Sequence, residues 1–399
     1  MSTINISTLF PFKRVKIKEI KSSDNGQLTL IKIEPDQRYL PICSGCHKPV
    51  RSIHSTHTRA IRDLPMAGSI VVIYYTYRTV QCPNCLFKLV EHHDFVDPYA
   101  RVTKRFAQYV HELCMHMTVT DVAEYTGLSW DQVKRIDKIE LRKHYSKIPK
   151  RNLKILCIDE ISLKKHYNYL TVIADHETGR VLDVLKSRTY ESVSLFLNKL
   201  SKNVRNNIKA VAMDMWDPYI KAFKEYCPNT SIVFDPFHVI AAFSKVIDKL
   251  RAQQYRLADA DSKQLMKRCR FLLLKNPQNL KKEQRPQLKA ILEKNELLAQ
   301  TYLLKEYLKR LWQYKYRKAA AKFLNYWCEL AVQTGSHILG IFVKMLKRHS
   351  YGILNHCQYP ISNARLEGIN NKIKVIKRMA YGYRDVEYFK FKIIQSTIK

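Results

Sequence analysis

Alternation of apolar and polar residues predicts a β-hairpin near the start of the chain. Residues 15–20 and 28–33 each alternate in this way, and Asp24-Asn-Gly26 between them is a turn sequence. A second β-rich stretch follows over residues 70–77. We therefore expect the N-terminal part of the chain to be built on strands.

The middle of the chain has a different predicted order. Strands and helices are expected at 152–158 (strand), 168–174 (strand), 180–186 (strand), 191–204 (helix), 208–213 (strand), 217–226 (helix) and 231–235 (strand). Three hairpin-linked strands followed by alternating helices and strands match the order of a ribonuclease H-like core. In that fold the first and fourth strands are neighbours.

Residues 118–136 have the form of a helix-turn-helix. Gly127 permits the turn, and Ser129 with Gln132 forms a capping box for the second helix. The residues of that helix expected to face inward are Trp130, Val133 and Ile136. Those expected to face outward, toward a DNA major groove, are Gln132, Lys134 and Arg135. The alternative is a helical hairpin that packs without contacting DNA.

Residues 240–350 are predicted to be almost wholly helical, with repeated leucine and isoleucine spacing and few turn signals. The predicted fold class is α/β multidomain: a ribonuclease H-like core interrupted by an all-α insertion and preceded by a zinc ribbon and a helix-turn-helix. The expected domains are 1–100 (zinc-ribbon-like), 101–150 (helix-turn-helix), 151–240 (core, first part), 241–355 (helical insertion) and 356–399 (core, C-terminal part).

Two Cys-x-x-Cys pairs predict a structural zinc site. Thiolates held by tight turns supply a closed tetrahedral set of ligands, and the four candidates are Cys43, Cys46, Cys82 and Cys85. The alternative is two unrelated cysteine pairs. Histidines nearby could replace one cysteine, although they are expected to face solvent or contact DNA; they are His47, His54, His57, His92 and His93.

Composition points to nucleic acid as the partner. The 399 residues include 69 Lys and Arg against 35 Asp and Glu, a formal charge of +34 that is spread along the chain. A ribosomal or membrane-surface protein is the alternative, but neither terminus has a basic amphipathic helix. There is no signal-peptide pattern and no apolar run that could span a bilayer, and the cysteine usage suits a reducing cytoplasm.

Three acidic residues are the candidates for catalysis. Asp159 and Asp214 each end an apolar run, Leu153–Ile158 and Ile208–Met213, and Glu367 precedes a basic helical stretch. Each alone is ordinary, as a helix cap, a salt-bridge partner or a solvated carboxylate. Together, at the ends of neighbouring strands and on a later helix, they can hold two divalent metal ions for chemistry at phosphorus.

Other polar residues near these acids have two interpretations. Asp235 could be a fourth metal ligand, but a helix cap ahead of Pro236 is favoured; Asp217 is likewise interpreted as the cap of its helix. His238 is a candidate for supporting catalysis at a scissile phosphate, with packing as a polar neighbour as the alternative. Trp216 is interpreted as a core aromatic, with stacking on a flipped base as the alternative. The basic residues that follow Glu367 are expected to hold the DNA backbone, and they are Lys372, Lys374, Lys377 and Arg378.

These features together resemble a bacterial insertion-sequence transposase of the ISL-three type, a branch of the DDE transposases. The resemblance runs over nearly the full length and includes Ala212-Met-Asp-Met-Trp-Asp-Pro-Tyr219, Asp235-Pro-Phe-His238 and Asn363-Ala-Arg-Leu-Glu-Gly-Ile-Asn-Asn371. Where the family usually has Asn-Gly before the Glu motif, this chain has Asn363-Ala364.

The resemblance implies a catalytic triad of Asp159, Asp214 and Glu367 that binds two Mg²⁺ (or Mn²⁺) ions. It also implies binding to the terminal inverted repeats, cleavage that frees a 3′-hydroxyl, and transfer of that hydroxyl to target DNA. A homodimer or higher oligomer on double-stranded DNA is expected, without membrane association, in the bacterial cytoplasm at the nucleoid.

Three other functions compete with this one. A DNA-binding regulator would retain the zinc ribbon, the helix-turn-helix and the charge, but would leave the acids unexplained. A structure-selective nuclease would cut without joining. A decayed transposase would bind the element ends without moving them.

Overall fold

The computed structural model describes residues 9–147, 153–164 and 168–398. The described residues do not include the first eight, where the sequence has no signal-peptide pattern. They also do not include residue 152, where a strand was predicted to start. The chain divides into two compact units, one up to Ser146 and one from Lys147 onward. Each unit has hydrophobic clusters of its own.

The first unit opens with a five-stranded sheet. Its strands are β1 (Val15–Ser22), β2 (Leu28–Pro35), β3 (Ile53–Arg62), β4 (Ile70–Gln81) and β5 (Lys88–Val90). The order is β1-β2-β4-β3, with β5 on β4, and β1 and β2 form the predicted hairpin. The alternation has its expected cause, since Ile31, Ile33, Ile73 and Tyr75 point into one buried cluster.

Three helices complete the first unit: α1 (Lys104–His116), α2 (Val119–Thr126) and α3 (Trp130–Tyr145). The turn between α2 and α3 is the predicted one. Gly127 has a φ of +66°, and Ser129 and Gln132 form a reciprocal capping box. Val133 is fully buried and Ile136 nearly so, but Trp130 is 47% exposed. The inward placement expected for Trp130 is therefore wrong, because this residue begins the helix and projects beyond the core.

The second unit contains a mixed five-stranded sheet. Its strands are β6 (Ile155–Lys164), β7 (Asn168–Asp175), β8 (Val181–Leu185), β9 (Ala210–Met213) and β10 (Ser231–Phe234). The order is β10-β9-β6-β7-β8, with β6, β7 and β8 antiparallel and with β9 and β10 parallel to β6 and to each other. The first and fourth strands of the unit, β6 and β9, are neighbours as predicted.

Two predicted elements differ from those observed. The strand expected to end at residue 158 continues to Lys164, because β7 pairs with it well beyond that point. The helix expected over 191–204 is two helices, α4 (Tyr190–Lys199) and α5 (Lys202–Asn207). Ser201 separates them and caps α5 by accepting a hydrogen bond from the Val204 N–H.

The remaining chain is helical, as the sequence predicts. Its helices are α6 (Asp217–Tyr226), α7 (Pro236–Leu257), α8 (Ala260–Met266), α9 (Arg270–Leu274), α10 (Gln284–Lys294), α11 (Glu296–Leu308), α12 (Arg317–Gln333), α13 (His337–Leu354), α14 (Ala364–Met379) and α15 (Val386–Ser396). Side chains of the sheet, such as Phe234, belong to the same buried cluster as Phe243 and Trp327. The sheet and the helices after it therefore share a core.

Helices α14 and α15 return to the sheet, where α14 packs on β6 and α15 on β8. This return brings the C-terminal segment next to the strand that carries Asp159. Within the described ranges, none of the helices is both long enough and apolar enough to cross a membrane.

Candidate catalytic and zinc sites

Asp159 and Asp214 lie together where two parallel strands separate. The pairing of β6 with β9 ends at Cys157 and Ala212, so both aspartates lie just beyond the last residues that these two strands pair. Asp159 itself still pairs with Val172 of β7. One ligand atom from each aspartate and one from His238 all lie within 4.8 Å of one another. The expectation that these two aspartates sit side by side is confirmed.

The Asp159 carboxylate is fixed on both of its oxygens. Oδ1 accepts the backbone N–H of Glu160 at 2.8 Å, and Oδ2 accepts Nδ2 of Asn370 at 2.7 Å. Burial raises the pKa of Asp159 to about 6, and the charge of Asp214 acts in the same direction. The site thus resists carrying two negative charges without a cation nearby.

His238, in the first turn of α7, supplies one positive partner for the aspartates. Its Nε2 lies 2.6 Å from Oδ1 of Asp214 and 3.9 Å from Oδ2 of Asp235. Burial opposes protonation of the imidazole, but the hydrogen bond to Asp214 and the surrounding carboxylates outweigh burial and raise the pKa of His238. The imidazole is therefore placed to neutralise part of the charge.

Two aspartates interpreted as helix caps behave differently. Asp235 caps α7 as expected, since its side chain accepts the Phe237 N–H at 3.3 Å. Asp217 does not cap α6, because the capping position is Trp216 and no side chain bonds there. The Asp217 carboxylate instead forms a surface ion pair with Arg348, whose Nη2 lies 2.9 Å from Oδ2.

Glu367 lies on the neighbouring helix. It is an exposed residue in the first turn of α14, and, among the described residues, the compact group around Asp159 and Asp214 does not include it. It stands three residues before Asn370, whose amide contacts Asp159, and residues spaced by three share a helix face. Glu367 therefore lies about one helical turn from Asn370, the residue that contacts Asp159 directly.

Two asparagines beside Glu367 have roles that sequence reasoning missed. Asn363 donates Nδ2 to the carbonyl of Ile158 at 3.0 Å, and Asn370 donates to Asp159 on the next residue of the strand. Both are at least 93% buried. The available signal was their seven-residue spacing, which puts them on one face with the buried Leu366 and Ile373.

A group of side chains around Arg188 borders the same site. Nη1 of Arg188 lies 3.3 Å from Oε2 of Glu160, and its guanidinium lies 4.6 Å from the ring centre of Trp216 and 4.5 Å from that of Tyr169. Glu160 also accepts a hydrogen bond from the Tyr219 hydroxyl. Trp216 is therefore half-buried against Arg188 and donates its indole N–H to the Arg188 carbonyl.

The four predicted zinc ligands converge in the first unit. The sulfur atoms of Cys43 and Cys85 lie 3.8 Å apart, those of Cys46 and Cys82 lie 3.6 Å apart, and all four fall within 4.8 Å of one another. A tetrahedron with Zn–S bonds of about 2.3 Å has edges of about 3.8 Å. The geometry fits a closed structural zinc site.

The two cysteine knuckles have matching backbones. His47 donates its N–H to the Cys43 carbonyl and Leu86 donates to the Cys82 carbonyl, and both residues adopt the left-handed region at φ +58° and +61°. None of the ten cysteines, all of which lie in the described ranges, forms a disulfide. The histidine His93, expected at the surface, is instead buried next to Glu91 and Tyr75.

The residues predicted to contact DNA lie on α3 and α14. On α3, Arg135 is exposed, Lys134 is half-buried with its Nζ 5.3 Å from the ring centre of Trp130, and the Gln132 carboxamide accepts the Ser129 N–H at 2.9 Å. On α14 the basic positions are half-buried or exposed, and they are Lys372, Lys374, Lys377 and Arg378.

The molecule therefore combines a cysteine-rich zinc site and a helix-turn-helix with a separate α/β unit that holds paired carboxylates. This is the composition of a DNA-processing enzyme. Comparison with known sequences gives the particular family. Residues 156–393 match a transposase family of the ISL3 type, residues 91–138 the helix-turn-helix domain of transposase family ISL3, and residues 40–85 the zinc-finger of transposase IS204/IS1001/IS1096/IS1165. The chain belongs to the ISL3 transposase family.

Full-length relatives agree with this assignment. The chain is 36% identical over 373 residues to the transposase for insertion sequence element IS1001 of Bordetella parapertussis, which covers 93% of this chain and 92% of the relative. It is 25% identical to the transposase for insertion sequence element IS1557 of Mycobacterium tuberculosis, over 93% of this chain and 90% of the relative.

Proposed function

We propose that this transposase cuts DNA at the ends of its insertion sequence and joins those ends to target DNA through Asp159, Asp214 and Glu367. The observation that carries the proposal is the convergence of the Asp159 and Asp214 carboxylates within 4.8 Å, just beyond the point where the pairing of the parallel strands β6 and β9 stops. The raised pKa of Asp159 supports it, because such a pair is stabilised by a cation.

Divalent magnesium or manganese suits the donors available. Carboxylate oxygens from Asp159, Asp214 and Glu367 are the hard ligands that these ions prefer. Two bound ions would supply activation of the attacking oxygen and stabilisation of the leaving oxygen at phosphorus. The exposed position of Glu367 leaves its carboxylate free to turn toward the aspartates.

Several residues of the chain assist at this site. His238 holds a proton beside Asp214 and limits the charge repulsion between the aspartates. The exposed basic side chains of α14, Lys374 and Arg378, lie on the same helix as Glu367 and bind the phosphate backbone. Contacts of this kind place the scissile phosphate without reading its sequence.

The sheet of the second unit supports a ribonuclease H-like core. Numbered within the unit, its strand order is 3-2-1-4-5, with the first three strands antiparallel. In this proposal the core comprises residues 151–240 and 356–399, the helices of 241–355 are an insertion, and residues 1–100 and 101–150 form the zinc-ribbon and helix-turn-helix domains. The insertion does not fold apart from the core, since both share one hydrophobic cluster.

Recognition of the terminal inverted repeats is assigned to the first unit. Its helix α3 presents Arg135 to solvent, and basic side chains on such a helix fit the major groove. Joining two ends requires two copies of the chain, so a dimer or larger assembly forms on DNA at the nucleoid. The relatives named above are transposases of insertion sequences, which supports this assignment.

The test is cleavage of DNA that carries the element's own ends, in Mg²⁺ or Mn²⁺. Wild type is compared with Asp159→Asn, Asp214→Asn and Glu367→Gln, and end binding is measured for each. We expect cuts at the ends by wild type and none by the three variants, with binding retained. End binding without cleavage by wild type would instead indicate a regulator or a decayed transposase, and cutting without joining would indicate a nuclease.

A further inference from the structure

Two buried asparagines connect the helix that carries Glu367 to the strand that carries Asp159. Asn363 immediately precedes α14 and Asn370 lies within it, seven residues further on, which is about two helical turns. Their Nδ2 groups donate to consecutive residues of β6, the carbonyl of Ile158 at 3.0 Å and the carboxylate of Asp159 at 2.7 Å. We call this pair the amide latch.

The latch differs from ordinary helix packing because it is polar and buried. Asn363 is 3% and Asn370 is 7% exposed, while Asn371, the next residue, is exposed to solvent. Burying an amide is costly unless it forms hydrogen bonds, and only the Nδ2 groups of the two residues form them, with β6. In the described part of the chain, Oδ1 of each latch residue has no hydrogen-bond partner. The polar contact to β6 is thus retained at a cost.

The amide latch orients the Asp159 carboxylate and positions α14 against β6. Asn370 donates to Oδ2 of Asp159 and the Glu160 N–H donates to Oδ1, so two hydrogen bonds set the orientation of the carboxylate. The hydrogen bond from Asn363 sets the position of α14 along β6. Glu367 lies between the two latch residues in sequence. Groups that hold a metal-binding side chain in place commonly change metal affinity about 10–100-fold when removed.

We propose that Asn370 is a positioning residue that acts through Asp159 and holds it in the orientation for divalent metal binding. Asn363 serves the same end by setting where α14, and with it Glu367, lies along β6. This inference rests on the proposed function, because it takes Asp159 to be a metal ligand. It assigns a role to residues outside the triad.

The experiment measures binding of Mn²⁺ alone to the full-length, zinc-loaded protein by electron paramagnetic resonance, without DNA. Asn370→Ala is compared with Asn371→Ala, a matched control one residue away. We expect the Mn²⁺ dissociation constant to rise about 10-fold or more for Asn370→Ala and to stay unchanged for Asn371→Ala. If Asn370→Ala folds poorly, Asn370→Leu takes its place, because leucine retains the branched shape of the side chain. The same rise in the Mn²⁺ dissociation constant is expected for it.

Kinetics separate positioning from a merely structural role. With end-carrying DNA, Asn370→Ala should lower kcat without changing KM for DNA, and excess Mn²⁺ should restore part of the rate. In a background of Asp159→Asn, Asn370→Ala should weaken Mn²⁺ binding no further. A lowered melting temperature with unchanged Mn²⁺ affinity in both Asn370 variants would overturn the proposal.

The outcomes also distinguish this inference from the proposed function. Weaker Mn²⁺ binding in Asp159→Asn than in wild type, with wild-type affinity in Asn370→Ala and Asn370→Leu, would remove the role of the latch and leave the metal site intact. Equal Mn²⁺ binding by wild type and Asp159→Asn would overturn both, because Asp159 would then not be a ligand.

Discussion

Asp159 is the residue on which the proposed chemistry depends most. It is half-buried, it faces Asp214, and both of its carboxylate oxygens accept hydrogen bonds. Burial raises its pKa to about 6 from an ordinary value of 3.8, so the folded protein favours the protonated form. Without a metal ion, the ionised carboxylate therefore destabilises the fold.

Replacing Asp159 by Asn should stabilise the protein in buffer free of Mg²⁺ and Mn²⁺. Between pH 4 and 6 the folded state binds more protons than the unfolded state, so the cost of ionising Asp159 grows with pH and is complete above 6. We expect a gain on the order of 2 kcal/mol at pH 7 and almost none at pH 4. Thermal unfolding of the zinc-loaded protein across this range measures it.

Asp217→Asn is the control for that experiment. Asp217 also follows β9 closely, but its side chain is 64% exposed and pairs with Arg348 at the surface. Its substitution should change the stability by less than about 1 kcal/mol at any pH. A similar gain in both variants would mean that general charge reduction, and not the burial of Asp159, is responsible.

Helix α3 gives different roles to two residues that were both expected to face DNA. Gln132 and Arg135 were both predicted to face DNA, yet the Gln132 side chain accepts the Ser129 N–H in the capping box while Arg135 is exposed. A cap stabilises the helix, whereas an exposed cation is available to a phosphate or a base. Substitutions at the two positions should therefore have different effects.

Arg135→Ala should weaken binding to end DNA and lower the salt dependence of the affinity by about one unit of slope, with no loss of stability. Gln132→Ala should cost about 0.5–1 kcal/mol of unfolding free energy. Fluorescence anisotropy at several salt concentrations and chemical denaturation measure these effects. Unchanged DNA affinity in Arg135→Ala would remove this residue from the interface.

Two glycines of α13 test whether the helical segment and the sheet form one core. A Cβ at Gly352 would lie 2.5 Å from ring atoms of the buried Phe234 on β10, whereas a Cβ at Gly340 would meet nothing within 4 Å. Gly352→Ala should cost about 1–3 kcal/mol through overpacking, and Gly340→Ala should gain about 0.5–1 kcal/mol. Equal effects in chemical denaturation would contradict the packing of α13 on β10.

The sequence predicts local structure here better than it predicts contacts. The hairpin of β1 and β2, the capping box of α3 and the pairing of Asp159 with Asp214 follow from spacing and strand order. The length of β6 does not, because its extension depends on pairing with β7. The contact of Asn370 with Asp159 spans 211 residues, and local spacing carries no information on such a distance.

At the scale of the whole molecule, charge and architecture fit a transposase acting on DNA. The formal charge of +34 is spread along a chain whose two units carry a zinc-ribbon and helix-turn-helix module and an α/β catalytic unit. Positive charge of this size gives affinity without sequence specificity. Specific end recognition and cleavage then belong to particular surfaces, of which the carboxylate site is the one most directly testable.

Affinity cleavage of the polypeptide by Fe²⁺ bound in place of Mg²⁺ tests directly whether the three acids share one metal site. With ascorbate and peroxide, bound iron produces radicals that cut nearby backbone, and mass spectrometry locates the cuts in the zinc-loaded protein. We expect cuts at three segments, around Asp159, Asp214 and Glu367, that Asp159→Asn abolishes. Cuts around the two aspartates but none around Glu367 would contradict a site built from all three acids.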